Sequence, residues 1–132
     1  EVTGFDISES AIEWCRKRFP DSLVTYQVAD LFALPEAWKS AFDFVLESYT
    51  IQAMPPEVRS QAIPKIAELV AGSGQLLVMC RGREPEQLLT TVPFPLTKAE
   101  LAGFGQAGLS EVEFEDLSEP ETVRRFRVLY KR

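Results

Sequence analysis

The chain has 132 residues, 45% of them hydrophobic and 26% charged, with a formal net charge of -6 and a pI of about 4.7. That is enough apolar sequence for one core, and the acidic balance gives no general attraction to phosphate backbones, so nucleic acid is not an expected partner. No apolar stretch is long enough to span a bilayer and no signal-peptide pattern occurs, so no membrane is expected either.

The two cysteines, Cys15 and Cys80, lie in apolar patterns with no metal-ligand spacing, and the chain has no histidine. Ser–His and Cys–His chemistry is therefore improbable, no metal site is expected, and a reducing, cytoplasmic setting is the default. A basic cluster near the end (Arg124, Arg125, Arg127, Lys131 and Arg132) reads as a solvated strand face.

Taken in order, Val2-Thr3-Gly4-Phe5 reads as a strand ending at Asp6-Ile7-Ser8. Ser8 or Ser10 can cap the following helix, and Ser10 with Glu13 fits a capping box. Ala11, Ile12, Cys15 and Phe19 share its apolar face, and Pro20-Asp21 ends it. Residues 23–28 form a second strand, leading into Ala29-Asp30-Leu31-Phe32 and a short helix or turn over residues 34–38.

A third strand, residues 42–47, is nearly continuous in apolar residues, as expected of a strand buried on both faces. It runs into Glu47-Ser48-Tyr49-Thr50-Ile51-Gln52. Pro56 suits the first position of a helix whose apolar face is Val58, Ala62, Ile66, Leu69 and Val70. Pro64 should kink or split it. Gly72-Ser73-Gly74 reads as a helix stop, residues 75–80 as a fourth strand, and residues 86–96 carry no clear pattern. Thr97 and Glu100 form a second capping box, opening a short helix that Gly108 stops. Val112 and Phe114 alternate with Glu111, Glu113 and Glu115. Phe126, Val128 and Tyr130 alternate with charged residues. With a turn at Ser118-Glu119-Pro120-Glu121 between them, these two strands form an antiparallel hairpin. Alternating strands and helices give an α/β fold with a mostly parallel sheet and a C-terminal antiparallel hairpin, in one domain over residues 1–132.

In open α/β sheets ligands bind beyond the carboxyl ends of the strands. Three strands here end in polar residues. Asp6 can accept from ribose hydroxyls or serve as a cap. Asp30 can accept from an exocyclic amine or close a turn, with Leu31, Phe32 and Ile7 beside an aromatic ring. Glu47, Ser48, Tyr49, Thr50 and Gln52 form the third cluster. The segments Val2-Thr3-Gly4-Phe5-Asp6-Ile7-Ser8, Ala29-Asp30-Leu31-Phe32, Phe42-Asp43-Phe44-Val45-Leu46-Glu47 and Gly72-Ser73-Gly74-Gln75-Leu76-Leu77-Val78 resemble, in order and spacing, the second to fifth strands of class I S-adenosylmethionine-dependent methyltransferases. The likeness runs from Val2 to about Cys80. Glu47-Ser48-Tyr49-Thr50 and Leu34-Pro35 look most like the small-molecule enzymes of the thiopurine and tellurite-resistance type.

The resemblance implies a Rossmann-like methyltransferase sheet, S-adenosylmethionine as cofactor and a small-molecule methyl acceptor. It implies that Asp6 holds the ribose, with Ile7 nearby, and that Asp30, Leu31 and Phe32 hold the adenine. It also implies that Glu47 lines the methionine end. Glu47 or Tyr49 would orient or deprotonate the acceptor during in-line displacement at the sulfonium methyl. Glu47-Ser48-Tyr49-Thr50 stands where amino-group methyltransferases acting on adenine or glutamine carry Asn-Pro-Pro-Tyr, which disfavours those substrates.

The family's glycine-rich loop and first strand precede the ribose-binding Asp, and nothing of the kind occurs before Asp6 or elsewhere. On this reading the chain is truncated, with the first strand missing, and binds the cofactor poorly by itself. The strands at residues 2–6 and 42–47 then pair directly, or another chain supplies the gap, as in a homodimer that completes the sheet. Two other readings remain: a catalytically inert methyltransferase-like module stabilised by self-association, and a nicotinamide-dependent oxidoreductase.

Overall fold

The computed structural model describes residues 1–89, 92–118 and 123–132. The chain divides into two compact units, Glu1–Pro35 and Glu36–Arg132. In the first, β1 (Val2–Asp6) and β2 (Val24–Val28) pair in parallel, Val2 opposite Val24 and Asp6 opposite Val28. A parallel pair needs a crossover, and α1 (Glu9–Arg18) provides it. Ser8 caps α1, its hydroxyl accepting from the Ala11 N–H at 3.3 Å. The Ser10–Glu13 spacing goes unused, because Ser10 already lies inside the first turn. Ile12 is buried and Cys15 half-buried, but Phe19 is 48% exposed, so the apolar face is narrower than the spacing predicts. Phe19 instead meets the Arg18 guanidinium, 5.4 Å from its ring centre.

The second unit is a four-stranded sheet in the order β3-β4-β6-β5. Strand β3 (Phe42–Ser48) pairs in parallel with β4 (Val70–Arg81), connected by α2 (Pro56–Glu68). Strand β6 (Arg125–Lys131) lies antiparallel between β4 and β5 (Ser110–Leu117), which gives the expected hairpin. Two short helices, α3 (Lys98–Leu101) and α4 (Gly103–Gln106), precede β5. The core gathers Leu76, Val78 and Cys80 of β4, Phe126, Val128 and Tyr130 of β6, and Ile63 and Ile66 of α2. Phe104 packs on Tyr130 at 5.1 Å between ring centres, and the Tyr130 hydroxyl donates to the Leu101 carbonyl at 3.0 Å.

Several expectations are corrected. The predicted direct pairing of residues 2–6 with residues 42–47 is not formed: β1 and β3 belong to separate sheets. Each crossover helix fixes neighbours within its own strand–helix–strand unit, and no such helix joins β2 to β3. Strand β3 is not buried on both faces; it is an edge strand with Phe44 54% and Leu46 55% exposed. Helix α2 continues unbroken through Pro64, whose ring is exposed on the polar side.

The helix stops at Leu69, where the orphan carbonyls of Glu68 and Leu69 accept from the N–H groups of Ser40 (2.7 Å) and Phe42 (3.1 Å). Gly72-Ser73-Gly74 is therefore not the stop. It lies inside β4 at a bulge, where Phe42 faces Val70 but Phe44 faces Gln75. Another bulge between Glu111 and Glu113 breaks the alternation of β5 and leaves Val112 58% exposed. The helix after Thr97 is two pieces meeting at Ala102, with Gly108 at φ +86° ending the second. The Thr97–Glu100 capping box is present in both directions. The predicted turn over Glu119, Pro120 and Glu121 lies outside the described residues.

Gly74 permits the close approach of β4 to β3 at the bulge. A Cβ there would sit 2.8 Å from the Phe42 carbonyl oxygen and 3.0 Å from that of Asp43, both backbone atoms. Gly74→Ala is expected to cost about 1–3 kcal/mol in urea unfolding, whereas Gly72→Ala, with nothing within 4 Å, should leave the midpoint nearly unchanged.

Candidate active site

The first unit brings Asp6 and Asp30 to the carboxyl ends of adjacent parallel strands. The Ala29 N–H extends the ladder to the Asp6 carbonyl at 3.0 Å. Each carboxylate closes a tight turn with one oxygen. Asp6 Oδ1 accepts from the Ser8 N–H at 2.8 Å, and Asp30 Oδ1 from the Phe32 N–H at 2.9 Å. Asp30 thereby caps the single 3-10 turn Leu31–Ala33. The local, turn-forming role of both residues is realised, and among the described residues nothing donates to the second oxygen of either. Two apolar side chains stand exposed beside them, Ile7 at 70% and Phe32 at 42%, while Leu31 is buried at 7%. Phe32 and Ile7 can flank a planar ring; the Leu31 side chain belongs to the packing.

In the second unit the end of β3 turns sharply. Tyr49 takes a left-handed φ of +64°, rare for an aromatic residue, and its N–H donates to the Met79 carbonyl at 3.0 Å. This reversal folds residues 50–53 back over the strand end. Glu47, only 4% exposed, takes the N–H groups of Thr50 (2.7 Å) and Ile51 (3.0 Å) on Oε1. Its Oε2 is buried with no hydrogen-bond partner among the described residues. Burial pushes the Glu47 carboxyl up to about 6, against the opposing pull of the Ile51 and Thr50 N–H groups. A carboxyl so placed can hold or release a proton near neutrality. Ser48, Tyr49 and Thr50 are exposed.

Gln52 was legible in the sequence only as part of the polar cluster. It is buried, its Oε1 accepts from the Arg81 N–H at 2.6 Å, and its carbonyl accepts from the Phe94 N–H at 2.7 Å. It ties the strand-end turn to β4 and to the segment after it. Sequence reasoning missed Arg59, although a charge at helical spacing from Ala62, Ile63 and Ile66 was a readable signal. Cys80 is buried, its thiol pushed up to about 12 chiefly by burial, so it is no nucleophile. Arg127 of β6 pairs across the hairpin with Glu115, and Arg124, just before the strand, meets Asp116 and Glu84.

The profile of a family described as a methyltransferase domain matches residues 1–74. The chain belongs to the methyltransferase domain family. No curated protein matches the sequence. Among solved structures it is similar to a SAM-dependent methyltransferase from Methanosarcina mazei, with a TM-score of 0.80 and 18% identity over 98% of this chain and 81% of that one. It is also similar to the 1,6-didemethyltoxoflavin-N1-methyltransferase of Burkholderia thailandensis, solved with 1,6-didemethyltoxoflavin and S-adenosylhomocysteine bound. There the TM-score is 0.75 and the identity 16% over 98% and 60% of the two chains. TehB from Haemophilus influenzae follows, with a TM-score of 0.74 and 14% identity over 99% and 49%. At these identities the likeness establishes the fold, the Rossmann-like architecture of S-adenosylmethionine-dependent methyltransferases.

The raised value at Glu47 has a consequence for stability. Its folded value of about 6 stands above the ordinary 4.5, so the ionised form is disfavoured in the fold. Stability is then fully present below the lower value and is lost as pH rises through the upper one, by about 2 kcal/mol. Glu47→Gln keeps an acceptor for Thr50 and Ile51 but carries no charge. Its melting temperature relative to the parent is expected to rise by several degrees between about pH 4.5 and about pH 7.5; a difference that stays flat with pH would refute the burial argument.

Proposed function

We propose that this methyltransferase domain transfers the methyl group of S-adenosylmethionine to a small-molecule acceptor, with its strand-end carboxylates dividing the work. The observation that carries this reading is the pair Asp6 and Asp30 on adjacent strand ends, each with one oxygen held by its own turn and the other open. That donor set suits a nucleoside: Asp6 for the ribose hydroxyls, Asp30 for the exocyclic amine, and Ile7 and Phe32 for the faces of the base. Bound there, S-adenosylmethionine supplies an activated methyl group on a sulfonium. The chain's own part is alignment, exclusion of water and proton handling.

Glu47 presents a buried acceptor oxygen, Oε2, suited to an amine or hydroxyl proton, and the exposed Tyr49 follows two residues on. These are the groups we assign to the acceptor. The similar Burkholderia enzyme, a 1,6-didemethyltoxoflavin-N1-methyltransferase, holds the small molecule 1,6-didemethyltoxoflavin, which supports the substrate class. Two unpaired cysteines suit a reducing compartment such as the cytoplasm. Among the described residues no helix is long and apolar enough to cross a membrane.

A second reading, a catalytically inert methyltransferase-like module stabilised by self-association, is favoured by the β3 edge, where Phe44 and Leu46 are more than half exposed. Calorimetric titration of S-adenosylhomocysteine into the protein separates the two. Binding that Asp6→Asn and Asp30→Asn each weaken by roughly tenfold supports the enzyme. No binding, with a dimer in light scattering that Phe44→Lys disperses, supports the module. In the active protein, Glu47→Gln and Tyr49→Phe together should lower turnover by roughly a hundredfold or more; unchanged turnover would sink the catalytic assignment.

A further inference from the structure

A part-buried charged cluster built on a buried arginine lies outside the strand ends. Arg59 of α2 is 2% exposed. Its guanidinium donates to Glu100 Oε1 at 2.6 Å, to the Pro95 carbonyl at 3.5 Å, and to the Phe94 carbonyl. Glu100 Oε2 in turn accepts from the Thr97 N–H (2.8 Å), the Thr97 hydroxyl (3.0 Å) and Arg83 Nη2 (3.1 Å). Burial works to raise the Glu100 carboxyl, but the Thr97 and Arg59 bonds outweigh it and hold the group below its ordinary value. Arg83 Nε also donates to the Pro95 carbonyl at 3.1 Å.

The segment these groups hold is a short belt, residues 94–97, that lies against the residues following β4. Gly82 and Leu96 form an isolated parallel bridge, and Leu96 is fully buried. Between the two arginines, the carbonyls of Phe94 and Pro95 are fixed from one side. From the other side the Phe94 N–H is fixed on the Gln52 carbonyl, five residues beyond Glu47. A buried ionic network on a loop is costly to build and stabilises little compared with apolar packing. What it supplies is a single placement of backbone beside the turn that carries Glu47 and Tyr49.

We infer that Arg59 is a positioning residue for the acceptor side of the site, holding Phe94 and Pro95 through their carbonyls and through Glu100 so that this belt helps set which acceptors fit. The inference rests on the assignment of Glu47 and Tyr49 to the acceptor. It goes beyond that assignment in naming the segment that shapes the pocket and the side chain that fixes it.

The test uses the full-length protein and Arg59→Met, with Glu100→Gln as the milder variant should the first fail to fold. Hydrogen exchange at Phe94 and Leu96 is expected to quicken by roughly tenfold to a hundredfold, with Leu76 and Val78 of β4 unchanged. S-adenosylhomocysteine affinity by calorimetry should stay within a factor of about two. In methyl-transfer assays on a panel of small heteroaromatic amines, phenols and thiols, KM should rise and the ranking of acceptors change more than kcat does for the best one. Loosened exchange with an unchanged acceptor ranking and KM would overturn the inference and leave the methyltransferase reading intact. If the parent binds no S-adenosylhomocysteine and methylates none of the panel, the methyltransferase reading fails first and takes the inference with it.

Discussion

The arrangement of the larger unit depends on one buried carboxylate taken into its own turn. Glu47 accepts the Thr50 and Ile51 N–H groups, and that bond is reachable only because Tyr49 bends the chain through a left-handed residue. A non-glycine residue in this region costs about 1 kcal/mol or more and persists only where surrounding contacts over-determine it. They do so here: the Tyr49 N–H is held by Met79 and the Gln52 side chain by Arg81, both on β4. The parallel register of β3 on β4 thus sets the turn, the turn sets Glu47, and burial of Glu47 sets its proton affinity. Each step is local, and each would fail if the register slipped by one residue, because Glu47 would then face the opposite side of the sheet.

That dependence explains which parts were legible in the sequence. Period and punctuation carried the elements: the capping box at Thr97, Pro56 at the start of α2, the hairpin of β5 and β6, and Gly108 as a stop. The strand-end acids were legible too, since a parallel pair with a crossover helix must place Asp6 and Asp30 side by side. What the pattern missed was non-local. A run such as Phe42-Asp43-Phe44-Val45-Leu46 reads the same whether one neighbour is present or two, so the exposed edge of β3 had no signature. Gly72-Ser73-Gly74 looks like a helix stop because glycines serve both stops and bulges; the choice was made by the Ser40 and Phe42 N–H groups reaching back to the helix end. Arg59 carried its signal on the helix wheel, but its partners lie 35 to 41 residues away, beyond any local reading.

Charge is handled differently on the two faces of the larger unit. On the exposed hairpin, acids and bases face each other in cross-strand pairs, and such contacts are solvated and individually weak. Inside, the same residue types form the Arg59–Glu100–Arg83 cluster, where loss of one partner strands the others. Surface pairs tolerate substitution; the buried cluster does not.

The carboxylates of the two units, each taken by itself, follow the same division. Asp6 and Asp30 lie at the surface and are oriented by turns of two residues, an arrangement that needs no distant contact and leaves each second oxygen hydrated until a ligand replaces the water. Glu47 is withdrawn from water, and its orientation is supplied by β4 and by the belt at Phe94. Recognition of hydroxyls and an amine asks only for acceptors in the right place, which short turns supply at little cost in stability. Handling a proton near neutral pH asks for a carboxyl with a raised affinity, and burial, with its penalty to folding, is how this chain provides it. The strained and expensive part of this unit is therefore the turn that carries Glu47, and the bonds from Tyr49 to Met79 and from Arg81 to Gln52 hold it on β4.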